Sequence, residues 1–305
     1  MNKLFQSIFI VIFSILLGVF LIWVFNLSDG SYQVYEKASE NQLKDFFYQQ
    51  KISQSELQNK FRNGEKIKIL VVPGHTDDFP GSIYRGVKEV TLNRIVANDL
   101  FNILKDDQRF QVEIFEMDNE VFKQTGDSEE IQEFKDGHQR LERLFKENNK
   151  DFVLNTNLYS DTEEEVIDTL YGINLWLNKN DYDIVIHVHF NNYDRVNKNQ
   201  PGEFEGFSIY VPYHNYSNGI ASQKLADQIF VSLGDVLTKS DLLQGDRKSI
   251  ESDNLIALGA FNTLETASVL IEYGFIYEDK FLNGNKEIFH SAAQKTYEGI
   301  LEFLK

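Results

Sequence analysis

The sequence predicts an α/β fold: a single three-layer domain with a central, mostly parallel twisted sheet flanked by helices, preceded by an N-terminal transmembrane helix. From Lys66 onward, short apolar segments alternate with long amphipathic segments, which is typical of strands that alternate with helices. Two of the apolar segments, "KILVVP" and "DIVIHVHF", are rich in β-branched residues, as buried strands of such a sheet usually are. The chain is long enough for one large domain with its own core.

The predicted elements follow from these periodicities. Apolar residues at helical spacing indicate the helices, and continuous apolar runs that stop at turn residues such as Pro73-Gly74 indicate the strands. In chain order they are strand 67–73, helix 88–106, strand 110–117, helix 130–148, helix 162–179, strand 183–190, strand 206–212, helix 219–239, strand 268–273 and helix 286–304. Residues 118–165 contain helical patterns but no convincing long strand, so we interpret them as an insertion.

The N-terminal segment carries an uncharged apolar run from Leu4 to Leu27. At 1.5 Å per residue, about 22 residues cover ~33 Å, which is enough for a hydrocarbon core of ~30 Å. A cleavable signal peptide would have an apolar stretch of only about 7 to 15 residues followed by a small-residue site. We therefore predict an uncleaved anchor; a cleaved signal peptide is the alternative, and it would place the rest of the chain in the same compartment.

The predicted organisation is a transmembrane anchor at 1–27, a juxtamembrane helical stalk at 28–64 and a folded domain at 65–305. Lys3 precedes the apolar run, and the next basic residue is Lys37, so the positive-inside rule favours a cytoplasmic N-terminus. The expected location is the cell membrane, with a single span and the domain outside the cytoplasm.

Composition excludes several function classes. The formal net charge is -17, from 47 acidic and 30 basic residues, which argues against a nucleic-acid partner. The absence of cysteine excludes disulfides, thiolate metal sites and a cysteine nucleophile. A metal ion would therefore bind through histidine, aspartate or glutamate.

Polar side chains interrupt the apolar pattern at four places. His75 follows the first strand, and Glu89 starts the first long helix. His187 and His189 face the same way because side chains alternate along a strand. Glu272 stands in an apolar strand, where a carboxylate is costly to bury without a compensating cation or donor. Taken singly, Glu89 also fits a helix N-terminus and each histidine a structural hydrogen bond.

Taken together, these residues suit a hydrolytic zinc site. Such a site needs two histidines, a carboxylate and an open fourth position, with a further glutamate to carry the proton from water to the leaving nitrogen. The H-E-x-x-H motif of many zinc proteases does not occur in the sequence.

Six short motifs occur in order over about residues 66 to 305: "VPGH" 72–75, "GVKEVTLN" 86–93, "VHFN" 188–191, "GFSIY" 206–210, "SQKLA" 222–226 and "LIEYGFI" 270–276. In this order they resemble the motifs of the zinc-dependent N-acetylmuramoyl-L-alanine amidases, the amidase 3 family. The sequence departs from the family pattern in three ways. Val72 replaces an aspartate, Val90 replaces a lysine, and an arginine is missing from the helix before the second histidine.

The resemblance implies an activity and a set of site residues. The activity is hydrolysis of the amide bond between N-acetylmuramic acid and L-alanine in peptidoglycan, by metal-activated water. His75, Glu89 and His189 would be the Zn²⁺ ligands and Glu272 the general base and acid. Around them, His187 would support the ligands or take the place of His189, while Asn191 and Arg247 would support the site or contact substrate.

Two other functions stay open at this stage. One is a non-catalytic cell-wall-binding or scaffolding domain of the same fold, and the other is a different zinc amidohydrolase or peptidase. The expected partners are peptidoglycan as substrate and the membrane through the N-terminal helix; an activator protein is left open.

Overall fold

The computed structural model describes residues 51–115, 129–136, 164–258 and 265–305, apart from positions 134, 194, 196, 215, 244, 253, 254 and 284. The helices are α1 (Gln54–Arg62), α2 (Glu89–Asp106), α3 (Glu164–Lys179), α4 (Gly219–Leu233), α5 (Asp279–Leu282) and α6 (Lys286–Leu304). The strands are β1 (Ile67–Pro73), β2 (Ile83–Tyr84), β3 (Val87–Lys88), β4 (Phe110–Ile114), β5 (Ile184–Asn191), β6 (Ser208–Pro212), β7 (Ile250–Ser252) and β8 (Ala267–Phe275).

A six-stranded sheet forms the middle layer, in the order β4-β1-β5-β8-β6-β7. β1 pairs in parallel with β4 and β5, and β5 pairs in parallel with β8. Only β6 and β7, which run parallel to each other, are opposite in direction to the rest, because β6 is antiparallel to β8. The carboxyl ends of β1, β5 and β8 therefore lie at one edge of the sheet, as predicted for a mostly parallel α/β domain.

One face of the sheet holds the large hydrophobic core. Even-numbered residues of β5, such as Ile186, and odd-numbered residues of β8, such as Val269, point into it and are fully buried. Helices α2, α6 and α4 pack side by side over this face. Their buried residues recur at helical spacing, as in α2 with Leu92, Val96 and Leu100, which explains why the sequence indicated these helices clearly.

The other face is covered by α3 and by a single 3-10 turn at Ile256–Leu258. Ile173 and Leu177 of α3 pack on Val72 and Val185. The Asn174 amide donates a 2.6 Å hydrogen bond to the Ile256 carbonyl and so ties the turn to the helix. His187, His189 and Glu272 all belong to this face by strand alternation.

The structure corrects several predicted boundaries. The strand predicted at 110–117 ends at Ile114, and the helix predicted at 219–239 ends at Leu233, with Gly234 as its C-cap. Of the helix predicted at 130–148, residues 129–133 and 135–136 are helical, and the remainder lies outside the described residues. Strands β2, β3 and β7 and helix α5 were not predicted, whereas α1 lies in the segment 28–64 that was predicted to be helical.

Helix α1 lies within the segment predicted as a juxtamembrane stalk, yet it packs on the domain. The amides of Gln54 and Gln58 donate to the Phe303 carbonyl at the C-terminus of α6. The Lys60 ammonium donates at 2.6 Å to Asp183, just before β5. These contacts place α1 at the amino edge of β1 and β5.

The predicted anchor at 1–27 lies outside the described residues. Among the helices that the structure does describe, none has the length and apolar character needed to cross a bilayer.

Candidate active site

The first site residue stands on the turn that follows β1. The Gly74 amide donates to the Val188 carbonyl at 2.9 Å, which fixes the turn to β5. His75 comes next with φ 69°, a left-handed conformation that is uncommon for a residue with a side chain. This backbone geometry directs the imidazole across the sheet edge, and its side chain is 30% exposed.

The second site residue begins helix α2. Glu89 is the first helical residue, and its amide donates to the Ser82 carbonyl while the Val90 amide donates to Pro80. These loop carbonyls satisfy the N–H groups that a helix N-terminus leaves without intrahelical partners. The Glu89 carboxylate turns back toward the sheet, where its Oε2 accepts a 3.0 Å hydrogen bond from the Ser82 amide.

Two further residues face each other on neighbouring strands. His189 of β5 and Glu272 of β8 are partners in the parallel register. Their side chains lie on the same face of the sheet, on strands about 4.8 Å apart. Both stand near the carboxyl ends of their strands, beside His75 and Glu89.

Three of these side chains form a compact cluster. His75 Nε2 lies 2.9 Å from Glu89 Oε1, and His189 Nδ1 lies 3.2 Å from the same oxygen. The three atoms lie within 4.8 Å of one another, the only such group among the described residues able to hold a metal ion. Tetrahedral zinc with bonds of about 2.0–2.1 Å would separate its ligand atoms by about 3.3 Å. The nitrogen and oxygen donors and their spacing therefore fit such an ion.

The electrostatics of the cluster keep Glu89 ionised. Burial raises the pKa of its carboxyl, but the hydrogen bonds with His189 and His75 outweigh burial and hold the pKa well below its ordinary value. For His189, burial lowers the pKa of the imidazole and His75 lowers it further, against the opposing effect of Glu89. An ionised carboxylate beside a neutral imidazole is the state in which both groups bind a cation.

Glu272 has a different environment. Burial raises the pKa of its carboxyl well above the ordinary value, and the negative charge of Glu89 raises it further. Its Oε2 is buried and lacks a hydrogen-bond partner within the described parts of the chain. A carboxyl with a raised pKa next to a cation site is suited to accept and return a proton.

His187 lies deeper in the sheet than His189 and is outside the cluster. It is 1% exposed, pairs with Val72 and Leu270, and donates a hydrogen bond to the Ala257 carbonyl. Burial lowers the pKa of His187 to about 3, and His189 adds to this effect, so the ring is neutral at physiological pH. The structure thus groups His189, and not His187, with His75 and Glu89.

The two remaining predicted residues lie at the same edge of the sheet. Asn191 ends β5 beside Tyr210 of β6. Burial raises the pKa of Tyr210 to about 12 and the Glu272 carboxylate adds to it, whereas Ser208 and Asn191 act in the opposite direction. Arg247 is exposed in the loop before the edge strand β7, and no contact in the described structure joins it to the cluster.

Several residues that support the cluster were missed by the sequence analysis. A Cβ atom on Gly74 would lie 2.2 Å from the His189 ring, and one on Gly81 would lie 2.5 Å from His75. Asn93, one turn after Glu89, is fully buried and donates from Nδ2 to the Gly74 carbonyl at 2.9 Å. The Pro80-Gly81 pair was a visible turn signal, but its contact with the ligands depends on the tertiary fold.

The family model described as N-acetylmuramoyl-L-alanine amidase matches residues 69–302. The search of curated proteins gave no match.

Several solved structures share the fold, and two of them serve as examples. One is the CwlD amidase from Clostridioides difficile in complex with the GerS lipoprotein, with TM-score 0.53, 16% identity and coverage of 78% of this chain and 98% of that one. The other is an N-acetylmuramoyl-L-alanine amidase from Clostridium difficile 630, with TM-score 0.51, 18% identity and coverage of 78% and 97%. Likeness at these identities shows the fold alone.

Proposed function

Because the chain belongs to the N-acetylmuramoyl-L-alanine amidase family, and is thus an enzyme that hydrolyses an amide of peptidoglycan, we propose a zinc-dependent mechanism for it. The bond cleaved joins N-acetylmuramic acid to the L-alanine of the stem peptide. His75, Glu89 and His189 hold the ion, and Glu272 is the general base and acid. The convergence of three donor atoms within 4.8 Å, next to Glu272, carries this proposal.

The three ligand side chains leave the cluster open toward solvent. The side chains of His75 and His189 are 30% and 19% exposed, whereas Glu89 is 6% exposed. Water and a substrate carbonyl therefore approach from the histidine side. A zinc ion held there would lower the pKa of a bound water to about 7 and polarise the carbonyl.

Glu272 carries the proton during the reaction. Its carboxylate takes a proton from the attacking water and then gives it to the leaving amide nitrogen. The same carboxyl serves both steps because its raised pKa lets it hold the proton between them. The C–N bond breaks, and the products are a lactyl carboxylate on the sugar and a free amino group on the stem peptide.

The experiment is the replacement Glu272→Gln, assayed on purified peptidoglycan with products identified by mass. We expect hydrolysis to fall at least about 100-fold while one zinc ion per chain remains bound. The control Glu205→Gln, on an exposed loop, should behave as wild type. Hydrolysis by Glu272→Gln at the wild-type rate would refute the role assigned to Glu272.

The same assay separates the alternative functions. Release of intact stem peptides supports the amidase, and shortened stems would indicate a peptidase. Wall binding without any product from the wild-type chain would indicate a non-catalytic domain.

We also propose that residues 1–27 anchor the protein in the cell membrane with the domain outside the cytoplasm. The uncharged apolar run supports this proposal. The full chain should stay with membranes after an alkaline carbonate wash and should be digested by protease added to spheroplasts. Release by the wash, or protection of the domain, would contradict it.

A further inference from the structure

Three segments of the chain meet at the side chain of Arg195. Its guanidinium carbon lies 4.8 Å from the ring centroid of Tyr84 and 5.2 Å from that of Tyr277. The two rings approach each other edge to face at 6.1 Å. Tyr84 and Tyr277 are 1% and 3% exposed, so both cation–π contacts are largely shielded from water, where such contacts are strongest.

Each of these segments leads directly from a residue of the site. Arg195 follows His189 by six positions, and Tyr277 follows Glu272 by five. Tyr84 stands in β2, two positions after Ser82, whose amide donates to the Glu89 carboxylate. One guanidinium therefore links the segments that carry a ligand histidine, the ligand glutamate and the proposed general base.

The β2–β3 hairpin needs such a support. It has only two residue pairs, Ile83 with Lys88 and Tyr84 with Val87. A two-stranded hairpin this short is not stable alone. Its anchor is the Tyr84 side chain, which Arg195 covers and whose hydroxyl donates to the Asn199 carbonyl at 3.4 Å.

The loop after β5 is held by the same residue. Nη1 of Arg195 donates to the carbonyls of Lys198 and Gln200, at 3.1 and 3.3 Å. Further along this loop, Gly202 packs so closely on Tyr277 that a Cβ atom would lie 2.3 Å from its hydroxyl oxygen.

We propose that Arg195 is a positioning residue that fixes the β2–β3 hairpin, and through Ser82 the Glu89 carboxylate, in the geometry that binds zinc. The proposal rests on the proposed function for its link to zinc. Its structural part, that Arg195 fixes the hairpin, stands apart from that function. Loss of Arg195 should loosen the hairpin first, because the hairpin has only two residue pairs of its own, whereas the main sheet has six paired strands.

The test compares Arg195→Ala, Arg195→Lys and a control in the full chain. Arg85→Ala is the matched control, because the exposed Arg85 guanidinium lies 5.1 Å from the same Tyr84 ring but belongs to the hairpin itself. The readouts are hydrogen exchange of the amides of residues 82–88 in metal-free protein, the zinc dissociation constant, and kcat separately from KM.

We expect Arg195→Ala to speed exchange of these amides. It should also raise the zinc dissociation constant about 10-fold, which is the usual effect of removing a residue that orients metal ligands without binding the metal. At saturating zinc, kcat should fall more than KM rises. Arg195→Lys, which keeps the charge but not the planar fork, should fall between wild type and Arg195→Ala, and Arg85→Ala should match wild type.

Unchanged exchange at residues 82–88 in a folded Arg195→Ala protein would overturn the proposal. An equal increase in exchange for Arg85→Ala would also overturn it. The effect would then not depend on the link that Arg195 makes between the hairpin and the loop after β5. If Arg195→Ala fails to fold, the exchange rates of Arg195→Lys decide in the same way. A wild-type chain that binds no zinc would refute the proposed function, while the exchange result would still decide whether Arg195 fixes the hairpin.

Discussion

Gly81 and Gly74 bring the backbone close enough to the site that a methyl group at either position would overlap a proposed metal ligand. At Gly81 the added Cβ would lie 2.5 Å from Cδ2 of His75 and 2.6 Å from Oε2 of Glu89. Gly81 also has φ +69°, which other residues rarely adopt. The ligand geometry therefore requires glycine for both space and backbone conformation.

We predict that Gly81→Ala weakens zinc binding at least about 10-fold by displacing His75 and Glu89. Isothermal titration with zinc measures this. The control is Gly64→Ala, because Gly64 has φ +79° with no atom within 4 Å of the added Cβ. Both variants should lose about 1 kcal/mol of unfolding free energy from backbone strain, but only Gly81→Ala should lose zinc. Equal zinc affinities would show that the contact has no effect on the ligands.

A second residue-scale prediction concerns Asn93, which holds the turn that carries His75. Replacing Asn93 by alanine leaves the buried Gly74 carbonyl without its donor, at a cost of about 2 kcal/mol in unfolding free energy. Asn218→Ala is the control, because Asn218 is equally buried and donates to the Thr266 carbonyl at 3.0 Å. Thr266 directly precedes β8, at the end of the sheet opposite the cluster. Urea denaturation should show similar losses for both. Zinc affinity should fall only for Asn93→Ala, and a fall in both would point to general destabilisation.

Single residues also show how far sequence reasoning reaches. The alternation of side chains along a strand predicts that His187 and His189 share a face, and the structure places them so. Alternation does not, however, predict how deeply each histidine is buried in the sheet. His187 pairs with Val72 inside the sheet, whereas His189 stands opposite Glu272 near the strand end. That difference depends on the register between strands, which the sequence does not encode locally.

Among the secondary-structure elements, α2 ends in an ion pair that should make stability depend on pH. Asp107, the C-cap of α2, accepts hydrogen bonds from Nε of Arg109 at 2.9 Å and from the Tyr297 hydroxyl of α6 at 2.9 Å. The hydrogen bond from Arg109 is the largest cause that lowers the pKa of Asp107 to about 2, from an ordinary value of 3.8. Because the folded-state pKa is the lower one, the pair stabilises the fold above about pH 4, and this contribution is lost as the pH falls through 2.

We therefore predict that Asp107→Asn lowers the unfolding free energy by about 1 kcal/mol at pH 7. The difference from wild type should shrink as the pH falls below about 4. Urea denaturation at a series of pH values measures it. Asp106→Asn is the control, because it removes the same charge one position earlier, where no ion pair occurs among the described residues. A difference from wild type that stays constant down to pH 3 would exclude Asp107 as its source.

The elements that were predicted and those that were missed differ in length. β1, β5, β8, α2 and α6 each span at least seven residues, so their apolar periodicity is visible in the sequence. β2, β3 and β7 have two or three residues each, too few to show a period, and are defined by pairing with distant partners. The predicted continuation of α4 to residue 239 failed because Gly234 ends the helix and the chain turns to bring Lys239 beside Phe207.

In the molecule as a whole, the main hydrophobic core and the proposed metal site lie in different places. The main core lies between the sheet and helices α2, α4 and α6, while the cluster of His75, Glu89 and His189 sits at the carboxyl edge of the sheet, where His189 projects from the opposite face. We predict that metal removal leaves the fold intact but less stable. Zinc at 100 times its dissociation constant adds about 2.7 kcal/mol to the folded state, and removing it should lower Tm by about 5 to 10 °C.

Differential scanning calorimetry with and without a chelator, alongside far-ultraviolet circular dichroism, checks this prediction. In His75→Ala, Tm should no longer respond to zinc. Magnesium, which prefers oxygen ligands, should not raise Tm in either protein. Loss of the far-ultraviolet signal on chelation would mean that the metal is needed for folding itself.

Helix α1 determines the side from which the polypeptide enters the domain. Its glutamines donate to the Phe303 carbonyl in the last turn of α6, Lys60 donates to Asp183, and the Lys51 amide donates to the Ser217 carbonyl, so residue 51 lies at the end of the sheet remote from His75 and Glu89. The open side of the cluster formed by His75, Glu89 and His189 and residue 51 therefore lie at opposite ends of the sheet. A glycan strand bound at the open side of the cluster would therefore lie at the end of the sheet opposite residue 51.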